Sequence, residues 1–93
     1  MKGRALLAWN LRRLRAERGI SQENLATDAE VDRAYVSELE RKIGNASVDL
    51  LDKLSNALDV GVAEFFRVPG PEEKRPKPLK SGRPRTRSKP KRG

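Results

Sequence analysis

The chain has 93 residues, a formal net charge of +8, and neither cysteine nor histidine. This length supports one small domain. The missing residue types exclude disulfides, thiolate or histidine metal sites and the commonest catalytic base, so we expect no metal, no cofactor and no enzymatic activity. No signal-peptide pattern is present and no apolar run approaches the roughly 18 residues of a membrane span, which favours a cytoplasmic protein without a membrane partner.

Charge is unevenly distributed along the sequence. Residues 1–68 hold 11 basic and 11 acidic residues, whereas residues 69–93 hold 10 basic and only 2 acidic ones. The second segment also contains all 6 prolines and a single large aliphatic side chain, Leu79. Such a composition cannot bury enough apolar surface to offset the entropy lost on ordering. We therefore predict a folded domain at 1–68 and a disordered basic tail at 69–93 that attracts a polyanion.

Apolar residues in the first segment recur at helical spacing. Leu7, Leu11 and Leu14 form one stripe, which predicts a first helix over about 4–18 that stops at Gly19. Further helices are predicted at 22–29 after the cap Ser21, from the cap Asp32 to about Arg41, at 48–58 after the cap Ser47, and at 62–67. Strand-like alternation appears nowhere in the sequence, so the expected fold is all-α.

The second and third predicted helices are separated only by Glu30 and Val31. Two short helices joined so closely cannot lie antiparallel, so they cross steeply and the second stands out from the surface. A helix presented in this way fits the major groove of duplex DNA, which is about 12 Å wide. The spacing therefore indicates a helix-turn-helix unit over 21–41.

These residues resemble the Cro/C1-type (Xre) helix-turn-helix family over roughly residues 7–67. The resemblance is carried by the segments Asn10–Arg15, Gly19–Gln22, Val31–Arg33, Tyr35–Arg41, Leu51–Leu54 and Ala57–Val60. It implies a compact five-helix, lambda-repressor-like domain that binds duplex DNA at operators. It also implies a homodimer, the usual state of such proteins.

The resemblance further implies roles for individual residues. Gln22, at the start of the second helix, matches the position that grips a phosphate. Arg33, Ala34 and Glu38 match positions that meet base edges, where guanine, a thymine methyl group and cytosine are their respective targets. The predicted DNA surface also includes their neighbours on the third helix and the backbone-contacting residues that follow it: Asp32, Tyr35, Ser37, Arg41, Lys42 and Asn45.

Three positions depart from the family pattern. Glu30 stands where the inter-helix turn usually has glycine, and at positive φ a non-glycine residue costs on the order of 1 kcal/mol. Lys42 replaces the glycine that follows the recognition helix, and Ala46 replaces a proline. We expect Gly44 to take over the chain reversal in this loop.

Some of these side chains also fit roles without DNA. Glu38 has Arg41 and Lys42 at i+3 and i+4, where an ion pair contributes a few tenths of a kcal/mol, about 0.2–0.5. Partial burial against the first helix fits Tyr35 better than DNA contact. The arginine cluster of the first helix is interpreted as a solvated face, with one phosphate contact as the alternative: Arg12, Arg13 and Arg15.

A second apolar strip, formed by Leu6 and Trp9, lies away from the leucine stripe of the first helix and suggests a partner surface. The alternative is that the N-terminus folds over this strip. The predicted dimer or partner contacts combine the tryptophan with the apolar residues of the last helix, for which a place in the core is the alternative: Trp9, Val62, Phe65 and Phe66.

The tail contains a short motif of its own. The segment Gly82-Arg83-Pro84 resembles the core of AT-hook peptides, which lie in the narrow minor groove of A·T-rich DNA, although Ser81 stands where the full pattern has a basic residue. Arg83, Arg85 and Arg87 are therefore candidate minor-groove contacts. The alternative is nonspecific attraction of phosphates by a cationic arm.

The sequence thus predicts a sequence-specific regulator of transcription, and in particular a repressor, that binds duplex DNA as a homodimer. Its two-fold operator would have half-sites about 34 Å apart. Two alternatives stay open. One is an antitoxin that neutralises a toxin partner, and the other is nonspecific DNA binding driven by the tail.

Overall fold

The computed structural model describes residues 1–71 of the chain. Within that range the chain forms four α-helices, one short 3₁₀ helix and no strand, so the all-α prediction is confirmed there. The elements are α1 (Gly3–Arg18), α2 (Gln22–Ala29), α3 (Arg33–Glu40), α4 (Val48–Leu58) and the 3₁₀ helix Val62–Phe66. Most of the predicted tail, including Arg83, Arg85 and Arg87, lies outside the described residues, so its roles stay predictions.

Helix boundaries follow the predicted caps, with one exception. Ser21 accepts a hydrogen bond from the backbone N–H of Asn24, and Ser47 accepts one from Leu50, each at 3.0 Å. Asp32 occupies the N-cap position of α3, but its carboxylate makes no capping hydrogen bond. The backbone carbonyl of Asp32 accepts a hydrogen bond from the backbone N–H of Tyr35 at 3.0 Å. The carboxylate of Asp32 is exposed and makes no hydrogen bond with the end of the helix.

The helices enclose one hydrophobic core. Helix α1 packs against α3 and the 3₁₀ helix, while α2 packs against α3 and α4. The core contains the leucines of the predicted stripes together with residues from every element: Leu7, Leu11, Leu14, Ile20, Leu25, Ala26, Ala29, Val36, Leu39, Leu51, Leu54, Leu58 and Phe65. No helix among residues 1–71 is long and apolar enough to cross a membrane.

The last predicted helix is a 3₁₀ helix of 5 residues, so the structure has four α-helices where five were expected. Short helical segments commonly adopt this tighter form. The segment is fixed to α1 by Asn10, whose Nδ2 lies 3.0 Å from the carbonyl of Phe65 and 2.8 Å from that of Arg67. Phe65 is fully buried in the core, so its prediction as a dimer contact is wrong.

The turns on both sides of α3 use left-handed residues that are not glycine. Glu30 has φ 60°, as expected for a residue in the usual glycine position, and Lys42 has φ 66°. The prediction that Gly44 takes over the chain reversal is wrong, because Lys42 adopts that conformation itself. Gly44 is closely packed instead: a Cβ there would lie 3.2 Å from Glu38 Cβ and 3.2 Å from Leu39 Cδ2.

Candidate nucleic-acid interface

Helix α3 is held by one face and exposes the other. Val36, Leu39 and Glu40 are at most 2% exposed, at the i, i+3 and i+4 spacing of a single helix face. The first turn of the helix and the preceding cap are exposed: Asp32, Arg33, Ala34 and Tyr35. The arrangement presents the first turn of α3 outward on a rigid base, which is the geometry that entry into a DNA groove requires.

Two side chains of α3 differ from their expected non-DNA roles. Tyr35 is 51% exposed, so the predicted partial burial against α1 is wrong. Glu38 is half-buried and forms no ion pair with Arg41 or Lys42 within residues 1–71. Ser37 is also half-buried. The outer face of α3 is therefore not neutralised by local pairing.

A buried carboxylate anchors the C-terminal end of α3. Glu40 is 2% exposed. Arg15 of α1 donates from Nε to Glu40 Oε2 at 2.6 Å and from Nη2 to Oε1 at 2.7 Å, which is a bidentate pair. A buried charge is tolerated only when it is paired in this way. The pair therefore joins α1 to the C-terminal end of α3.

The same carboxylate also reaches the start of α2. Gln22 Nε2 donates to Glu40 Oε1 at 3.1 Å, so three helices meet at this group. A side-chain amide nitrogen carries two N–H groups, which leaves Gln22 one further donor. The predicted phosphate contact of Gln22 is compatible with this geometry and stays a prediction.

The three neighbouring arginines of α1 are not equivalent. The side chains of Arg13 and Arg15 are 13% and 12% exposed, whereas that of Arg12 is 32% exposed. Arg13 pairs with Glu17 at 3.3 Å and with Glu64 at 3.0 Å. The interpretation of this cluster as a solvated face is therefore wrong for Arg13 and Arg15, which hold the fold together.

The loop after α3 collects the remaining predicted backbone contacts. Arg41, Lys42 and Asn45 are all exposed. Nη2 of Arg4, from the first turn of α1, donates to Oδ1 of Asn45. The N-terminus of α1 thus lies beside this loop, although the two are 41 positions apart in sequence.

Two exposed apolar side chains lie at the end of the 3₁₀ helix and just after it. Phe66 and Val68 are 41% and 70% exposed, while Val62 is partly buried against the core. Trp9 is half-buried, and its indole Nε1 is enclosed without an acceptor among residues 1–71. The predicted partner roles of Trp9, Val62 and Phe66 stay predictions.

Sequence reasoning missed two residues that organise the site. Glu40 lies on the same face of α3 as Val36 and Leu39, and Asn10 lies on the leucine stripe of α1. A polar residue at a core position of a helix is a signal, because burial without a partner is unfavourable. That signal identifies Glu40 and Asn10 as partnered groups without naming their partners.

Comparison with known proteins identifies the class. A sequence model described as helix-turn-helix matches residues 11–65. The chain therefore belongs to the helix-turn-helix family, a class of DNA-binding regulators, and the resemblance to the Cro/C1 type is confirmed. The matched range contains α2, α3 and the Glu40 contacts described above.

Individual relatives agree with this assignment. A hypothetical transcription factor of Neisseria meningitidis is 42% identical over 71 residues, covering 76% of this chain and 65% of that protein. The control protein C.BamHI of Bacillus amyloliquefaciens is 33% identical over 76 residues, covering 77% of this chain and 94% of that protein. The crystal structure of the restriction-modification controller protein C.AhdI from Aeromonas hydrophila has a TM-score of 0.66 at 40% identity and covers 68% of this chain and 96% of that one.

The chain spans slightly less than two thirds of the Neisseria relative's length. None of these three relatives is described as an antitoxin. A toxin partner therefore gains no support from them.

Proposed function

We propose that this protein is a sequence-specific regulator of transcription that binds a two-fold DNA operator as a homodimer and represses by occupying it. The observation that carries the proposal is the contrast within α3 between its buried residues and its exposed first turn. Val36 and Glu40 lock it to the body, while Arg33 and Tyr35 project from its first turn into solvent. A rigid helix with an outward polar face is the element that reads bases in the major groove.

The chemistry of the outward face suits base recognition. Arg33 offers a planar pair of donors for the O6 and N7 acceptors of guanine. Ala34 has a methyl group for the thymine methyl, and Glu38 has a carboxylate that accepts from the N4 amine of cytosine. Because Glu38 has no ion-pair partner among residues 1–71, its acceptor oxygens are not already occupied by a cation.

Phosphate contacts would flank these bases at both ends of the unit. Gln22 lies at the start of α2, where the helix dipole favours an anion. Arg41, Lys42 and Asn45 lie beyond the other end of α3 and are exposed. Such contacts fix the register of the protein on the duplex without specifying sequence.

A dimer follows from the small size of one reading surface. A single protein helix of 8 residues contacts only part of one turn of the DNA duplex, so two copies of the domain are needed for tight and specific binding. Phe66 and Val68 supply exposed apolar area beside the 3₁₀ helix and are the contacts we assign to the dimer. We expect Phe66→Ser to weaken self-association, as measured by analytical ultracentrifugation, while the fold is retained.

Selection of bound fragments from a pool of random duplexes tests the proposal. We expect enrichment of a palindromic site whose halves are separated by about one helical turn, or about 34 Å. Enrichment of a single asymmetric patch would contradict the dimer. Binding without any enrichment would contradict sequence-specific recognition and support an electrostatic mode carried by the tail.

A further inference from the structure

We propose that α1 is a second DNA-facing element, in which Arg4 and Arg12 bind phosphates that flank the bases read by α3. The inference rests on the proposed function, because it requires α3 to lie in the groove. The structure distinguishes Arg12 from Arg13 and Arg15, and it adds Arg4, to which the sequence analysis assigned no role. The ligand is the phosphodiester backbone of duplex DNA.

Geometry places both arginines at the edge of the predicted interface. Arg4, Ala8 and Arg12 are spaced at i, i+4 and i+8 and form one stripe of α1. Ala8 is 1% exposed, so this stripe faces the body, and the long arginine side chains emerge along its edge. Arg4 reaches Asn45 in the loop after α3, and Arg12 reaches the end of α3 itself.

Each arginine lies beside a side chain already predicted to grip a phosphate. Arg4 donates to Asn45 Oδ1, which leaves the amide N–H groups of Asn45 for another acceptor. Arg12 Nε lies 3.8 Å from Glu40 Oε1, the same oxygen that accepts from Gln22 at 3.1 Å. The stripe therefore lies between the contacts of Gln22 with Glu40 and the contact of Asn45 with Arg4, two places that are far apart in sequence.

The two arginines are too far apart to share one phosphate. At a rise of about 1.5 Å per residue, their Cα atoms are about 12 Å apart along α1. Successive phosphates of one DNA strand rise about 3.4 Å along the duplex axis. The two guanidinium groups are therefore expected to reach different phosphates and to contribute separately.

Charge balance leaves both guanidinium groups available. Arg15 already pairs with both oxygens of Glu40, so Arg12 adds one uncompensated positive charge beside that carboxylate. Arg12 donates from Nη2 to the backbone carbonyl of Glu40 at 2.5 Å, and its Nη1 has no acceptor among residues 1–71. The partner of Arg4 within that range is a neutral amide.

Further cations lie in the same loop. Arg41 and Lys42 are exposed and form no ion pair within the described part of the chain. Like charges gathered at one edge repel each other, and a polyanion relieves that repulsion. A guanidinium group also matches phosphate geometry better than an ammonium group does.

The test is the salt dependence of binding by the full chain. Affinity for the duplex obtained by selection is measured by fluorescence anisotropy at increasing salt for wild type, Arg4→Gln, Arg12→Gln, the double variant and Lys53→Gln. Each lost phosphate contact should reduce the slope of log K against log salt by about 0.9, and the double variant should lose about 1.8. Glutamine at position 12 removes the charge and keeps a polar amide, although its side chain is shorter than that of arginine.

Lys53→Gln is the matched control. Lys53 is an exposed cation on α4, which packs against α2 and the 3₁₀ helix. The slope of log K against log salt for Lys53→Gln should equal that of wild type. Arg4→Lys and Arg12→Lys should retain the slope because they retain the charge, whereas a purely structural role would not depend on charge in this way.

Failure of this inference is distinguishable from failure of the proposed function. A wild-type protein that prefers no duplex contradicts the proposed function. A selective wild type whose Arg4→Gln and Arg12→Gln variants keep the full slope overturns the inference alone. Loss of affinity confined to one base position would also overturn it, because phosphate contacts should weaken binding by the same factor on the selected duplex and on its scrambled form. Thermal unfolding of Arg4→Gln should match wild type, since Arg4 is exposed.

Discussion

The two faces of α3 use the same residue types for opposite purposes. On the inner side, Glu40 is buried and paired with Arg15. On the outer side, Arg33 is exposed and Glu38 has no ion pair among residues 1–71. Burial and pairing, and not residue type, therefore decide which charges hold the fold and which remain for a ligand.

The same contrast appears in the distribution of ion pairs over a domain without excess charge. Residues 1–68 contain equal numbers of basic and acidic residues. Glu17, Glu40 and Glu64 are the acids that pair with arginines of α1. These pairs lie along α1 and do not involve Arg33, Arg41 or Lys42. The exposed cations of α3 and its following loop thus form no ion pair within residues 1–71.

Removing the buried acid should have the largest effect. Glu40→Ala leaves Arg15 buried without its carboxylate, and breaking a buried pair from one side destabilises a fold by about 3–5 kcal/mol. We expect a corresponding loss in the free energy of unfolding, measured by urea denaturation. Gln22 also loses its acceptor in this variant, so α2 is affected together with α3.

Glu17→Ala is the matched control for the buried acid. Glu17 also pairs with an arginine but is 54% exposed, and exposed pairs contribute at most about 1 kcal/mol. Equal losses in Glu40→Ala and Glu17→Ala would refute the distinction between the buried and exposed charges.

Removing an outer-face charge should change recognition and not stability. Arg33→Ala is expected to reduce binding by about 1–3 kcal/mol at one base position, by loss of a bidentate contact to guanine. Competition binding with single-base variants of the selected duplex measures this. The unfolding midpoint should stay at the wild-type value because Arg33 is exposed and has no ion pair within residues 1–71. A large loss of stability would place Arg33 among the structural residues.

The smallest effect concerns the turn that positions α3. Glu30 has φ 60°, and glycine there should raise the free energy of unfolding by about 0.5–1 kcal/mol because it relieves left-handed strain. Thr27→Gly, at an exposed position within α2, is the control and should lower stability by a few tenths of a kcal/mol, about 0.3. The free energy of unfolding should rise in Glu30→Gly and fall in Thr27→Gly. A fall in both variants would contradict backbone strain at Glu30.

Much of the fold was predictable because its signals are local. Leucine stripes and the caps Ser21 and Ser47 locate the α-helices, since helical periodicity and capping depend on residues close in sequence. The short connection between α2 and α3 indicates the helix-turn-helix unit for the same reason. The family assignment confirms that interpretation.

The errors arise where contacts are long-range. Phe65 and Phe66 are adjacent and equally apolar, and only the packing of the 3₁₀ helix against the rest of the domain decides which one enters the core. Partial burial of Tyr35 against α1 was expected, but Val36 and Leu39 are the apolar residues of α3 that face the core. The partner of Glu40 lies 25 positions away, beyond the reach of any periodicity.

The central claim is that the outer face of α3 meets DNA. Amide chemical-shift changes on addition of the selected duplex to the ¹⁵N-labelled full chain test it most directly. We expect the largest changes at Arg33, Ala34 and Tyr35, with smaller changes at Gln22 and Asn45 and little change at Asp52 on the exposed side of α4. Changes concentrated in residues 72–93, with α3 unperturbed, would contradict the account.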